Sequence, residues 1–271
     1  MSFTPSDLVI VSKEDVEGEL VLSASKMYKY LKCPYLYYKH YSTPKKKRFI
    51  YSTTTSRVPS SVMFGAIFHQ TLEKINKQAK NDGKFPGLES AIDVFNSSWR
   101  PMSRFYATHI RAIFFDRAKS YLSNYYSLVV QHITPRVVEH PFILRVCGIP
   151  ICGSIDLVTD KGDLLDFKTS YKLPGKFRYS SLQLRLYSLA YLALFETLPR
   201  TARYLYFTEK PTRGLHALPP PSHSGKVKWE HLDLTVKLVK HVHRMLNEEN
   251  YTPVQGAYCG RCPYRARCPA F

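Results

Sequence analysis

Asp156, Asp166 and Lys168 stand close together in one stretch, Gly153-Ser-Ile-Asp-Leu-Val-Thr-Asp-Lys-Gly-Asp-Leu-Leu-Asp-Phe-Lys-Thr-Ser170. The alternation predicts two short strands around a tight turn near Lys161-Gly162. With the turn centred there, the two aspartates lie five residues to either side of position 161 and become cross-strand partners. Directly opposed side chains have Cβ atoms roughly 4.5–5.5 Å apart, and like charges so placed are destabilising unless something neutralises them. Period-2 alternation puts Lys168 on the same face and sends Ile155, Leu157, Leu165 and Phe167 to the other. Two carboxylates suit a hard ion such as Mg²⁺ or Mn²⁺, which keeps waters available as nucleophiles. A nearby ammonium can steer that water or stabilise charge developing on a phosphate. The plainer reading is a solvated hairpin face on which a lysine screens two acids.

A second set of reactive residues lies at the two ends of the chain. Cys259, Cys262 and Cys268 form a Cys-x2-Cys-x5-Cys run among Gly, Pro and Arg, and Cys33 near the start is the best candidate for a fourth ligand. Cys33, Cys262 and Cys268 each precede proline, which stiffens the chain at the ligand. Four thiolates can hold zinc or a [4Fe–4S] cluster, and residue chemistry leaves both open. Disulfides are the alternative, although the N-terminus Met1-Ser-Phe-Thr-Pro-Ser-Asp lacks the features of a secretory signal. Cys147 and Cys152 lie in apolar strand patterns and read as core residues.

The elements that must position these groups follow from periodicity. A helix capped at Ser23 or Ser25 is interrupted at Cys33-Pro34. Apolar residues at helical spacing predict a helix from about 61 to 80 with His69 and Glu73 one turn apart, and a second over 102–129. Strands are expected over 137–147 and 149–158, then the Asp166 strand, then an aromatic-rich helix over 180–197. There Gln183 and Tyr187 share a face that could orient a water, a phosphate oxygen or a lysine, or could be a polar packing edge. A strand over 202–207, a loop containing Pro219-Pro220-Pro221, an amphipathic helix over 229–248 and the Cys-rich tail complete an α/β pattern. Lys45, Lys46, Lys47, Arg48 and the Ser- and Thr-rich 52–61 segment read as a basic loop.

Lys and Arg number 39 against 21 Asp and Glu, a formal charge of +18, which makes a polyanion such as nucleic acid the leading partner. With 44% hydrophobic residues, disorder is excluded and a sizeable core is available. The longest apolar stretch, near Leu186 to Leu198, is too short and interrupted to span a bilayer, so no membrane role and an intracellular, cytoplasmic location are expected. Tyrosines among residues 28–41 could stack on unpaired bases or pack around the cysteine site.

Taken together, these residues resemble the PD-(D/E)xK nuclease superfamily, specifically its RecB-like branch with a C-terminal cysteine cluster, as in CRISPR-associated and AddB-type iron–sulfur exonucleases. The resemblance is carried, in family order, by Ser23-Ala-Ser-Lys through Cys33-Pro-Tyr, Phe64-Gly-Ala-Ile-Phe-His69, Gly153-Ser-Ile-Asp156, Asp166-Phe-Lys168, Gln183 through Tyr187 and the terminal Cys triad. It implies a restriction-endonuclease-like core, a central mixed sheet flanked by helices, that hydrolyses phosphodiester bonds in DNA with Mg²⁺ or Mn²⁺. His69, Asp156, Asp166 and the Phe167 carbonyl are then the expected metal ligands, with Lys168 positioning water and Gln183 and Tyr187 in support. Cys33, Cys259, Cys262 and Cys268 are expected to hold a [4Fe–4S] cluster in preference to zinc. Asp166 stands where many members carry Glu. The expected organisation is residues 1–60 as a helical and basic segment giving one cluster ligand, 61–228 as nuclease core, and 229–271 as helix and cluster-binding tail. The expected activity is that of an exonuclease on single-stranded or end-containing DNA, with other nucleic-acid-processing proteins as partners. Repair, recombination, phage replication or CRISPR adaptation in a prokaryotic or virus-infected cell would be its setting. The competing functional reading is a catalytically idle DNA-binding scaffold with a structural iron–sulfur or zinc site.

Overall fold

The computed structural model describes residues 3–42, 60–170, 182–208 and 226–271, together with the backbone of 216–218. The Lys45–Arg48 run, the Ser/Thr-rich segment as far as residue 59 and Pro219–Pro221 fall outside these residues.

The sheet is built outward from one long hairpin. Strands β3 (Pro135–Val146) and β4 (Ile149–Thr159) pair antiparallel along most of their length. They are joined by Cys147-Gly148, with φ of 49° and 82°. Two consecutive positive φ values are what a two-residue primed hairpin turn requires. Cys147 is therefore a turn residue packed at the edge of the core, not a strand residue as the apolar pattern suggested. Gly162, at φ 78°, closes the next turn and leads into β5 (Asp163–Ser170). The register Leu157↔Leu165 and Val158↔Leu164 is the one that places position 156 across from 166.

Past this short ladder β4 and β5 part. The free edge of β4 is taken by β2 (Leu22–Ser23), which pairs parallel to Ile151 and Cys152. On its other side β5 pairs along its whole length with β6 (Thr201–Thr208), parallel, after a crossover through α6 (Leu182–Phe195). β1 (Leu8–Ile10) edges β3, and β7 (His216–Leu218) edges β6, both antiparallel. Among the described residues the result is a seven-stranded mixed sheet with a fork between β4 and β5.

Helices cover both faces, as a mixed sheet buried on two sides demands. One layer comprises α1 (Ala24–Lys32), α6 and α7 (Trp229–Asn247). It buries Leu22, Met27, Ile151, Ile155, Val158, Leu164, Leu189 and Val239. The other comprises α3 (Ser60–Asp82), α4 (Leu88–Ser103) and α5 (Thr108–Leu128), packed over an aromatic core that includes Phe64, Phe68, Phe95, Trp99, Tyr121, Tyr125, Phe167 and Phe207. The helix expected over 102–129 begins only at Thr108, because 102 and 103 close a separate helix, α4. The spacing of Ala91, Phe95, Trp99 and Ser103, all buried, is the helical signal for α4.

Ile155 and Leu157 do not share a face as strict alternation predicts. Ile155 packs in the α6 and α7 layer and Leu157 in the aromatic layer. The exchange occurs at Asp156, opposite Glu139, whose φ of 44° breaks the extended run of β3. Local departures from the ladder re-aim side chains in this way, and they concentrate beside functional sites.

Ser23 caps α1 by accepting from the Lys26 N–H at 3.3 Å. Pro34 ends α1 and opens the short α2 (Pro34–Tyr37), leaving Cys33 extended at φ −168° between them, as a residue before proline prefers. Among the described residues no helix is long and apolar enough to cross a membrane.

Candidate active site

The acidic pair sits in the fork of the sheet. Where β4 and β5 separate, the Asp156 carboxylate takes over as ladder acceptor, its Oδ2 receiving the Phe167 N–H at 2.7 Å. Asp166 is fully buried. Its Oδ1 accepts from Gln183 Nε2 at 2.7 Å, and the same amide donates to Tyr187 Oη at 2.8 Å. Gln183 and Tyr187 are one turn apart on α6, so the crossover helix fixes Asp166 through a short chain of hydrogen bonds. Lys168 Nζ lies 2.5 Å from Asp166 Oδ2. That contact is a close ion pair, and it opposes the effect of burial on the Asp166 carboxyl.

Two glycines let the layers close on this point. A Cβ on Gly153 would come within 2.8 Å of both the Phe142 and Tyr187 rings. A Cβ on Gly65 would lie 3.0 Å from Thr169 Oγ1. α3 therefore crosses the end of β5 closely and delivers His69, one turn later, to the other side of the fork. There His69 Nδ1 is 3.8 Å from Asp156 Oδ2. Glu139 joins them from β3, held by Ser154 Oγ, which donates to its Oε2 at 3.2 Å. One ligand atom each from His69, Glu139 and Asp156 lies within 4.8 Å of the others, the one such group among the described residues.

The electrostatics follow from burial. Desolvation, reinforced by the Asp166 charge, pushes the Asp156 carboxyl up to about 8. Desolvation also raises Asp166, against the pull of Lys168. Glu139 is raised for the same reason, with Glu73 adding like charge. Burial brings His69 down to about 4, and the Lys168 ammonium adds to the shift, while a backbone hydrogen bond with Phe167 opposes it. His69 is thus a neutral imidazole at pH 7, and its approach to Asp156 joins two potential ligands rather than forming an ion pair.

A sequence profile of the PD-(D/E)XK nuclease superfamily matches residues 21–269, nearly the whole chain. The chain belongs to this superfamily. No curated protein sequence matches it. Among solved structures, the chain is similar to a crystal structure of a proposed exonuclease from Eubacterium rectale, with a TM-score of 0.56 and 10% identity, over 94% of this chain and 92% of that one. At that identity the likeness is one of fold, and it matches the mixed sheet flanked by helices. A crystal structure of SSO0001 aligns at 18% identity over 76% of this chain and 95% of that one, with a TM-score of 0.35.

PD-(D/E)XK nucleases use divalent metals, and the fork has a donor set that fits one. Three carboxyl groups whose proton affinity burial raises lie close together there, and the histidine beside them is neutral and free to ligate. The structure brings together His69 and Asp156 of the expected ligands, and it adds Glu139, which sequence patterns missed. An acid inside the apolar run of β3 was the available signal. Asp166 faces Lys168 and Gln183, with Phe167 between the two aspartates.

The superfamily chain also brings its two ends together. Cys33 Sγ accepts from the Val254 N–H at 3.5 Å, and Cys259 Sγ from the Gly256 N–H at 3.4 Å. Tyr35 Oη donates to the Arg267 carbonyl at 2.9 Å, next to Cys268. Tyr258, whose hydroxyl donates to the Val254 carbonyl at 2.6 Å, is raised chiefly by desolvation, and further by Cys33, Cys259 and Cys262. None of the six cysteines is paired in a disulfide. Cys152 lines the cavity that contains Lys168 instead of being fully buried in the core.

Proposed function

We propose that this protein is a metal-dependent deoxyribonuclease, an exonuclease acting on single-stranded or end-containing DNA. The observation that carries the reading is the fork itself: two opposed, buried carboxylates with raised proton affinity, a neutral histidine and a lysine, all fixed by neighbours from both helical layers. Burying two facing acids is costly to fold, and groups with proton affinities shifted this way concentrate at functional sites.

Mg²⁺ or Mn²⁺ held by Asp156, Asp166, His69 and the Phe167 carbonyl, with Glu139 added, would lower the pKa of a bound water and offset the charge on the scissile phosphate. The protein's own groups do the rest. Lys168 supplies a positive centre beside the acids, where developing phosphate charge is stabilised without solvent reorganisation. Gln183 locks the orientation of Asp166. Burial and the two aspartates hold the Tyr187 phenol up to about 12, so it remains a hydrogen-bond donor at neutral pH.

Residues 61–228 would form the nuclease core, and residues 1–60 and 229–271 would together form a cluster-binding appendage. Cys33, Cys259, Cys262 and Cys268 would hold a [4Fe–4S] cluster. Backbone N–H groups already directed at two of the sulfurs, and the cationic Lys32, Arg261, Arg265 and Arg267 around them, suit the thiolate charge such a cluster requires. Its contribution would be to tie the chain ends together.

The test is incubation of anaerobically purified protein with end-labelled single- and double-stranded DNA, in Mn²⁺ and in EDTA. The expected result is stepwise shortening that needs the metal, reduced roughly 10²–10³-fold by Lys168→Ala. Full cleavage by Asp166→Ala would refute the assignment. Binding without cleavage under all conditions would instead identify a DNA-binding scaffold.

A further inference from the structure

Two cavities flank α1, and one residue lines both. The first, about 480 Å³, contains Lys168, Gln183 and Tyr187 together with Ser25 and Tyr28. The second, about 670 Å³, lies between α1 and the C-terminal tail, where Lys32, Tyr258 and Arg261 join Tyr28. Ser25, Tyr28 and Lys32 recur at helical spacing, so they form one stripe along α1, about 10 Å long at 1.5 Å per residue. The opposite stripe, Met27 and Tyr30, is buried in the core.

Tyr28 is 52% exposed, so its ring is presented at the junction of the cavities instead of being packed away. Lys32 Nζ stands 5.0 Å from the centre of the Tyr258 ring, which keeps a cation and an aromatic face together at the far end. A positive charge at each end, Lys168 and Lys32 with Arg261, and an aromatic face between them form the pattern that suits a polyanion carrying flat bases.

We propose that this stripe of α1 is a track for unpaired DNA, leading the strand from the tail cavity, across Tyr28, to Lys168. The assignment rests on the nuclease reading and deepens it, by giving single-strand preference a structural origin. A base inside a duplex is already stacked between two neighbours, so along the strand it is the unpaired bases that can lie on Tyr28. Lys32 and Arg261 contact the backbone and act on any sequence.

The experiment measures binding in EDTA, where no cleavage occurs, by fluorescence anisotropy with a short oligo-dT, an abasic strand of equal length and a blunt duplex. Wild-type protein is expected to prefer oligo-dT to both. Tyr28→Ala should weaken oligo-dT binding about tenfold while leaving abasic binding unchanged, and Tyr28→Phe should restore it. Lys32→Gln, which keeps the helix and its packing, should lower the slope of log affinity against log salt by about 0.7. Equal binding of oligo-dT and abasic DNA, equal binding of the duplex, or an unchanged affinity in Tyr28→Ala would each overturn the track. Cleavage by wild-type protein in Mn²⁺ is measured in parallel. Its absence with the base preference intact overturns the catalytic reading and leaves the track standing.

Discussion

Asp156 carries two duties that oppose one another. As acceptor of the Phe167 N–H it closes the last rung of the β4–β5 ladder, and as a buried acid facing Asp166 it resists ionisation. Its carboxyl is raised from 3.8 to about 8, so between those values the folded protein holds a proton that the unfolded chain releases. Stability from this group is therefore complete below about pH 4 and is lost as pH climbs toward 8. In metal-free protein this group lowers the melting temperature over that window, while His69, held at about 4 against a free value of 6.5, works the other way. Asp156→Asn should therefore shift the slope of melting temperature against pH upward between about pH 4 and 8, which a scan in EDTA checks. Glu139 faces the same space, and Glu139→Gln is expected to weaken Mn²⁺ binding roughly 10- to 100-fold by calorimetry while the fold is retained. At this scale the sequence was informative where chemistry came in clusters: Asp166-Phe-Lys168 announced itself. Glu139 did not, since one acid in an apolar strand is an ordinary edge residue until a positive φ turns it inward.

Gly153 shows how elements, rather than single side chains, make the site. β4 and α6 approach so closely that any Cβ there meets Tyr187, and Tyr187 is bonded to the amide that orients Asp166. Gly153→Ala should accordingly lower cleavage by at least tenfold and weaken Mn²⁺ binding with it, because the damage enters through Gln183 and so through Asp166; kinetics and calorimetry on the same preparation check both. Strand and helix identities were legible over most of the chain, since β3, β4, β6, α6 and α7 follow clear periods. What periodicity could not disclose was the fork. Strict alternation assigns Ile155 and Leu157 to one face, and only the pairing of β2 with β4 and the break opposite Glu139 show that the strand changes sides at Asp156. α4 escaped for a different reason: two of its four buried positions, Ala91 and Ser103, are small, so its apolar stripe is weak and residues 88–101 carry no expected element.

Over the whole molecule, the two chain ends meet at Cys33 and the C-terminal tail. Tyr30 Oη donates to the Asn250 carbonyl at 2.8 Å, and Tyr38 stacks against Tyr251 with ring centres 4.8 Å apart. If the four cysteines hold a cluster, Cys33→Ser should bleach visible absorption and lower the melting temperature of anaerobic protein, since site formation then contributes to folding. An unchanged melting curve with loss of colour would show that the protein contacts alone suffice. The meeting of the ends was legible only as an argument from ligand count, because nothing local in residues 30–40 points to a partner more than two hundred positions away.

The fork draws His69 from the aromatic layer and Gln183 and Tyr187 from the opposite one, so neither half of the protein owns a complete centre. Opening of either helical layer separates these groups before it exposes the whole sheet. A partly opened copy thus has no complete centre. For a protein whose reading is that of a DNA-degrading enzyme, incomplete folding is self-disarming.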